Sequence, residues 1–244
     1  MTTQNVNWRE AIYHQSLEDI QRKCEESLQF ELDDNPLFWA LGFGEKKVVD
    51  LLITYNLHTM CQDINSLYIL SVVYNHKFLI EFAVESGADV NFVPKREFVE
   101  MYINDKGGYD YYCRNDNFDS YIMYSITKIN TPGPMFGLVP GMEFEMKFDL
   151  SYLIRHGINL NVGNFCYLQY ELNNSESSCM LDLILEHTQI PENVLNAFFI
   201  TAMKYGQRKY TRRILPLIRP TDSRWSVSSF GIQVRLRNLR YSNY

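Results

Sequence analysis

The residues that could do acid–base or nucleophilic chemistry are scattered along this chain. Its five histidines are far apart, and His156 and His187 each follow an apolar helical pattern, where an imidazole stabilises a helix C-terminus. The sequence contains no glycine-rich phosphate loop, no H-E-x-x-H pair and no G-x-S-x-G nucleophile elbow. We therefore expect no catalytic residues, no cofactor and no enzyme activity.

Metal-ligating residue types occur without a ligand pattern. Four aspartates crowd one polar segment, at positions 105, 110, 116 and 119. Carboxylates bind hard cations, but Gly107 and Gly108 stand where a calcium loop would supply ligands. The five cysteines are odd in number and form no C-x-x-C, which favours buried thiols in a reducing, intracellular compartment over disulfides or zinc. No metal site is expected.

Positive charge is concentrated near the C-terminus of a chain whose net charge is −6. Residues 201–244 contain ten basic residues and one acidic residue, whereas residues 1–200 contain 13 basic and 28 acidic residues. The candidate basic patch comprises Arg208, Lys209, Arg212, Arg213, Arg235 and Arg237. Either this end faces solvent or packs on the acidic body, or it binds nucleic acid or an acidic partner with salt-dependent affinity.

Aromatic and apolar residues cluster in two irregular segments, at 104–119 and 127–145. The candidate partner-binding residues there are Tyr109, Tyr111, Tyr112, Met135, Phe136 and Leu138. Solvent-facing aromatics and methionines are typical interface anchors. The alternatives are that these side chains fold back over a core, or that residues 104–141 form a small-ligand or enzymatic site.

A short phrase that occurs twice indicates the elements that carry these segments. Residues 81–91 read EFAVESGADVN and residues 151–161 read SYLIRHGINLN, so Gly87 and Gly157 stand 70 residues apart, twice 35. Recurrence at this spacing is typical of stacked repeats. Gly87, Gly157 and the equivalent Asn56 are predicted to end helices in the left-handed conformation, which Gly and Asn tolerate.

Residues 35–57 and 66–91 resemble the ankyrin repeat, a β-turn and two helices with a period of about 33 residues. In the first unit the matching positions are Asn35, Pro36, Leu37, Ala40, Gly44, Val48, Val49, Leu51, Leu52 and Ile53. The pattern's histidine is replaced by Phe38 and Ile69, which is expected to weaken hydrogen bonding inside each repeat. The resemblance implies a scaffold that binds a protein partner through a free surface of turns and first helices. Long insertions are typical of divergent members from large DNA viruses or intracellular bacteria, for which the partner would be a host factor.

The whole chain is therefore expected to be an all-α, ankyrin-like solenoid of about five irregular repeats over residues 35–218. Residues 1–34 form a helical cap, with a capping box at Ser16 and Asp19 and a buried stripe of Leu17, Ile20, Cys24 and Leu28. The third unit pairs helices at 120–126 and 145–156, the fourth has a helix at 178–187, and the fifth begins at Pro191 and continues into a basic helix at 207–218. Residues 219–244 form a basic extension, either with a strand at 226–239 or disordered. No apolar run is long enough to span a membrane.

Overall fold

The computed structural model describes residues 8–14, 16–26, 35–43, 46–103, 122–123, 125–126, 150–168, 172 and 179–218. All regular structure in these ranges is helical, which confirms the all-α expectation for this part of the chain. The proposed strand at 226–239 lies outside the described residues, as do both irregular segments of the insertion. The chain divides into two compact units, residues 1–130 with 134–163 and residues 131–133 with 164–244.

The described residues contain eleven helices. In the first unit they are α1 (Trp8–Tyr13), α2 (Leu17–Glu26), α3 (Pro36–Phe43), α4 (Lys46–Thr54), α5 (Ile64–Val73), α6 (Lys77–Glu85), α7 (Arg96–Tyr102) and α8 (Leu150–Arg155). The second unit contains α9 (Cys179–His187), α10 (Glu192–Lys204) and α11 (Arg208–Ile214), and short 3₁₀ turns lie at Leu57–Met60 and Val162–Phe165.

The N-terminal helices confirm the capping box and correct one part of the stripe. The Ser16 hydroxyl accepts the Asp19 N–H at 3.4 Å and donates to the Asp19 carboxylate at 2.7 Å, at the start of α2. Ile20 and Cys24 are buried as expected, but Leu17 is 41% exposed. Leu17 is the first helical residue, and helical side chains lean toward the N-terminus, so it projects beyond the packed face.

Helices α3 and α5, which open the two predicted repeats, are buried on every side. Residues 36–42 of α3 and 66–72 of α5 are all buried, whereas their partners α4 and α6 are amphipathic and bury one face each. A helix that is apolar all round must lie in the interior. The expectation that first helices leave a free surface is therefore wrong for α3 and α5.

Side-chain caps hold the starts of these two helices. The Asn35 carboxamide oxygen accepts the Leu37 N–H at 2.9 Å, and the Asp63 carboxylate accepts the Ser66 N–H at 3.0 Å. The buried Cys61 thiol connects the two caps, since it accepts from the Asn35 amide at 3.5 Å and donates to the Asp63 carbonyl at 3.4 Å. Burial, with the Asp63 charge adding to it, raises the pKa of Cys61 to about 12, so the S–H is retained for this contact.

Helix α7 was not anticipated from the sequence, and it covers α3. Tyr102 of α7 packs on Trp39 with ring centroids 4.7 Å apart, and Phe98 meets Phe38 edge-on at 6.0 Å. The Tyr74 hydroxyl donates to the Tyr102 carbonyl at 2.9 Å. These contacts place α7 directly on α3.

Gly42 allows this close approach, because a Cβ at that position would lie 2.7 Å from the Tyr102 carbonyl oxygen. The obstructing atom belongs to the backbone, so it cannot move aside as a flexible side chain would. We expect Gly42→Ala to destabilise the protein by about 1–3 kcal/mol, although alanine is the better helix former. Urea unfolding followed by circular dichroism measures this change, and Lys47→Ala at an exposed position of α4 is the control. Unchanged or increased stability would contradict the tight α3–α7 contact.

His58 gives the first unit a pH-dependent stability. Its ring is buried between Phe78 and Phe82, at centroid distances of 5.4 and 4.8 Å, and burial lowers the pKa of His58. Burial also lowers the pKa of His76 at the start of α6. Both rings stay neutral in the folded state at pH values where the unfolded chain already binds protons.

Stability should therefore fall as the pH drops below about 6.5, the ordinary histidine pKa, and level off below the folded-state values. His58→Phe keeps an aromatic ring between Phe78 and Phe82 without a titrating group, so it should reduce the loss of stability between pH 7.5 and pH 5. Free energies of unfolding from urea titrations across this range test the expectation. An identical pH dependence in the variant would remove His58 as a cause.

Candidate functional site

The two copies of the repeated phrase lie side by side in the first unit. Gly87 and Gly157 have φ values of +94° and +83°, and Asn56 has +61°, so all three take up the predicted left-handed conformation. The Asn91 side chain then reaches the second copy. Its amide donates to the Gly157 carbonyl at 3.0 Å, and its oxygen accepts the Asn159 N–H at 2.6 Å.

The same bonding continues on both sides of this bridge. The Asn65 oxygen accepts the Asp89 N–H at 2.8 Å, and Asp89 in turn accepts the Asn91 N–H at 2.9 Å. Asn159 repeats the Asp89 arrangement and accepts the Asn161 N–H at 2.9 Å. The turns of the two phrases are therefore joined by side chains that satisfy backbone groups, although Asn91 and Asn159 are 68 residues apart in the sequence.

This bonding leaves the turn tips exposed in one series, which we call the turn row. The turn row comprises the exposed residues Met60, Gln62, Asp63, Asp89, Asn91, Asn159 and Asn161. The apolar residues between them, including Val90 and Leu160, are buried. In the first unit the turn row remains accessible where the first helices do not.

A cavity of about 290 Å³ lies beneath the turn row. Its described lining residues are Val90, Asn91, Ile122, Met123, Ile158, Asn159 and Val162. Both asparagine oxygens accept hydrogen bonds from the turns, and this lining contains no acid, base or nucleophile. We find no arrangement for chemistry at this place.

The second unit presents the described part of the predicted basic patch. Arg208, Lys209, Arg212 and Arg213 are all exposed on α11, while Tyr210, Thr211 and Ile214 are buried. At about 100° per residue, the four charges fall within about 140° of the helix circumference. The sequence predicted a basic helix at 207–218 and left open whether its charges face solvent; the observed helix is shorter, Arg208–Ile214.

The four charges do not have equal roles. Arg213 forms an ion pair with Asp182 of α9, which connects two helices of the second unit. The Nζ atom of Lys204, the last residue of α10, lies 5.6 Å from the ring centroid of Tyr205. Tyr205 is exposed and lies in the turn between α10 and α11. Ile200 of α10 is also exposed. Tyr205 and Ile200 were not predicted as surface contacts from the sequence, because their exposure depends on which face of α10 packs inward.

Eight of the sequence-predicted site residues lie outside the described residues. They are Tyr109, Tyr111, Tyr112, Met135, Phe136, Leu138, Arg235 and Arg237. Within the described ranges, no group of His, Cys, Asp and Glu is arranged to hold a metal ion, and no helix is both long and apolar enough to cross a membrane.

Comparison with known proteins adds no relative, since no family model, no curated protein and no solved structure matches this chain.

The bridge between the two phrases yields a direct test. Asn91→Ala removes one donor and one acceptor at a solvent-exposed site, and we expect a loss of about 1 kcal/mol in the free energy of unfolding. Amide exchange at Asn159 should accelerate, because its N–H loses its acceptor. Asn91→Asp keeps an oxygen for Asn159 and loses the donor to Gly157, so its Asn159 exchange should stay closer to wild type. Equal Asn159 protection in all three proteins would contradict the bridge.

Proposed function

We propose that this chain is a non-enzymatic scaffold of ankyrin-like helical repeats that binds a protein partner. The observation that carries the proposal is the series of hydrogen bonds from Asn65 through Asp89 and Asn91 to Asn159. Turns joined edge to edge hold their tips in a fixed order, and stacked repeats create extended binding surfaces in this way.

The turn row is the surface that we propose for the partner in the first unit. The burial of α3 and α5 leaves the inner helices inaccessible, so contact falls on the exposed tips. Met60, with 41% of its side chain exposed, supplies an adaptable apolar contact. The amide and carboxylate groups around it supply directional hydrogen bonds.

Nucleic-acid binding through the basic helix α11 is a second candidate. It is favoured by the single solvent face that carries Arg208, Lys209 and Arg212. Exposed aliphatic side chains beside these charges, such as Ile200, support a protein partner better, because phosphate contacts do not require them.

Site-specific photo-crosslinking tests the scaffold proposal. A photoreactive amino acid at Met60 or Gln62 should crosslink the full-length chain to the same partner protein in extracts of cells that express it. Both side chains are exposed, so substitution should leave the core intact. The matched positions are Glu18 and Arg22, which are exposed on helix α2 rather than in a turn.

We expect a defined crosslinked species from the turn positions and none of comparable yield from α2. Crosslinks of equal yield at all four positions would indicate non-specific contact, and crosslinks from α2 alone would place the partner elsewhere. Either result would overturn the proposed use of the turn row.

A further inference from the structure

The hairpin of α10 and α11 carries a mixed basic and apolar surface in the second unit. We call it the hairpin face and define it by Ile200, Lys204, Tyr205, Arg208, Lys209 and Arg212, all of which are exposed. Ile200 and Tyr205 expose 52% and 54% of their side chains. Leu217, beyond the end of α11, is also 44% exposed. Ile200 lies one turn before Lys204 on α10, and the Lys204 ammonium lies 5.6 Å from the Tyr205 ring centroid.

We propose that the hairpin face docks an acidic amphipathic helix of a partner protein. This inference rests on the proposed function as a protein-binding scaffold and names the chemistry of a partner. The four cations within nine residues attract negative charge, and the two exposed apolar side chains complement an apolar stripe on the same partner. A helix with a carboxylate row next to a leucine row supplies both.

Spacing supports a helical partner. Arg208 and Arg212 are one turn apart on the solvent side of α11, and side chains at this separation have Cβ atoms about 5–6 Å apart. Carboxylates at i and i+4 of a partner helix have the same separation, so each guanidinium can meet one carboxylate in a two-bond contact. Arg213 is already paired with Asp182 and is not needed for this match.

The composition of the hairpin face favours protein over nucleic acid. Arginine and tyrosine are enriched at protein interfaces, and the centre of such an interface excludes water around apolar anchors. A phosphate backbone would satisfy the charges but would leave Ile200 and Leu217 in water. An acidic amphipathic helix covers both kinds of group at once.

The test uses the full-length chain and three labelled probes in fluorescence anisotropy. The first probe is an 18-residue helical peptide with glutamates at i and i+4 beside a row of leucines. The second has glutamine at every glutamate position, and the third is a single-stranded DNA of 18 nucleotides. We expect the glutamate peptide to bind at least about tenfold more tightly than either other probe, because only it matches both charge and apolar surface.

Two variants separate the contributions to this binding. Arg208→Glu combined with Arg212→Glu should weaken the glutamate peptide at least about tenfold through repulsion, and Ile200→Ser should weaken it about threefold through lost apolar contact. The matched control is Lys47→Glu combined with Lys95→Glu, which changes the net charge equally at exposed sites of the first unit and should bind as wild type. Circular dichroism checks that each variant remains helical.

The outcomes distinguish this inference from the scaffold proposal. If DNA bound more tightly than the glutamate peptide and Ile200→Ser did not change its affinity, the partner would be a nucleic acid and not an acidic helix. If the Lys47 and Lys95 control weakened binding as much as the arginine variant, the effect would be due to net charge alone. Failure of the glutamate peptide to bind would overturn the inference, while specific crosslinks from Met60 and Gln62 would still support the scaffold.

Discussion

The fold of the first unit depends on two helices that are apolar on every side. Residues 36–42 of α3 and 66–72 of α5 have no face that water can solvate well, so each must be covered all round. Helices α4 and α6 cover them with one amphipathic face each, but a plain helix pair leaves the other side open. Helices α1, α5 and α7 also pack on α3. Gly42 and the Tyr74 hydroxyl allow the close approach of α7.

Covering these helices leaves backbone polar groups at their ends, and short side chains satisfy them. Asn35 and Asp63 accept the first amide groups of α3 and α5. Asn65 in the first turn of α5 accepts the Asp89 amide, and Asn91 accepts the Asn159 amide. A buried thiol at Cys61 completes the connection between the two caps.

Much of this arrangement follows from local sequence rules, and the rest follows from contacts across the chain. The repeat pattern predicted α4 and α6, a basic helix was predicted at the position of α11, and the residue types predicted the left-handed turns at Gly87 and Gly157. Helix α7 was not predicted, since seven residues after a proline give too little periodicity to separate it from a loop. The bridge from Asn91 could not be predicted either, because its partners Gly157 and Asn159 lie 66 and 68 positions further along the chain.

Packing limits which surfaces of the described residues are left for recognition. Helix α7 lies on α3, and residues 36–42 of α3 and 66–72 of α5 are buried, so neither helix offers a free face. Recognition then depends on groups that packing leaves outside, which are the polar tips of the turn row and the basic, partly apolar hairpin face. The two differ in charge, since the turn row carries Asp63 and Asp89 whereas the hairpin face carries only cations among its charged groups. Two surfaces of opposite sign on one chain select for different partners, or for different parts of one partner, because a segment attracted to one is repelled by the other.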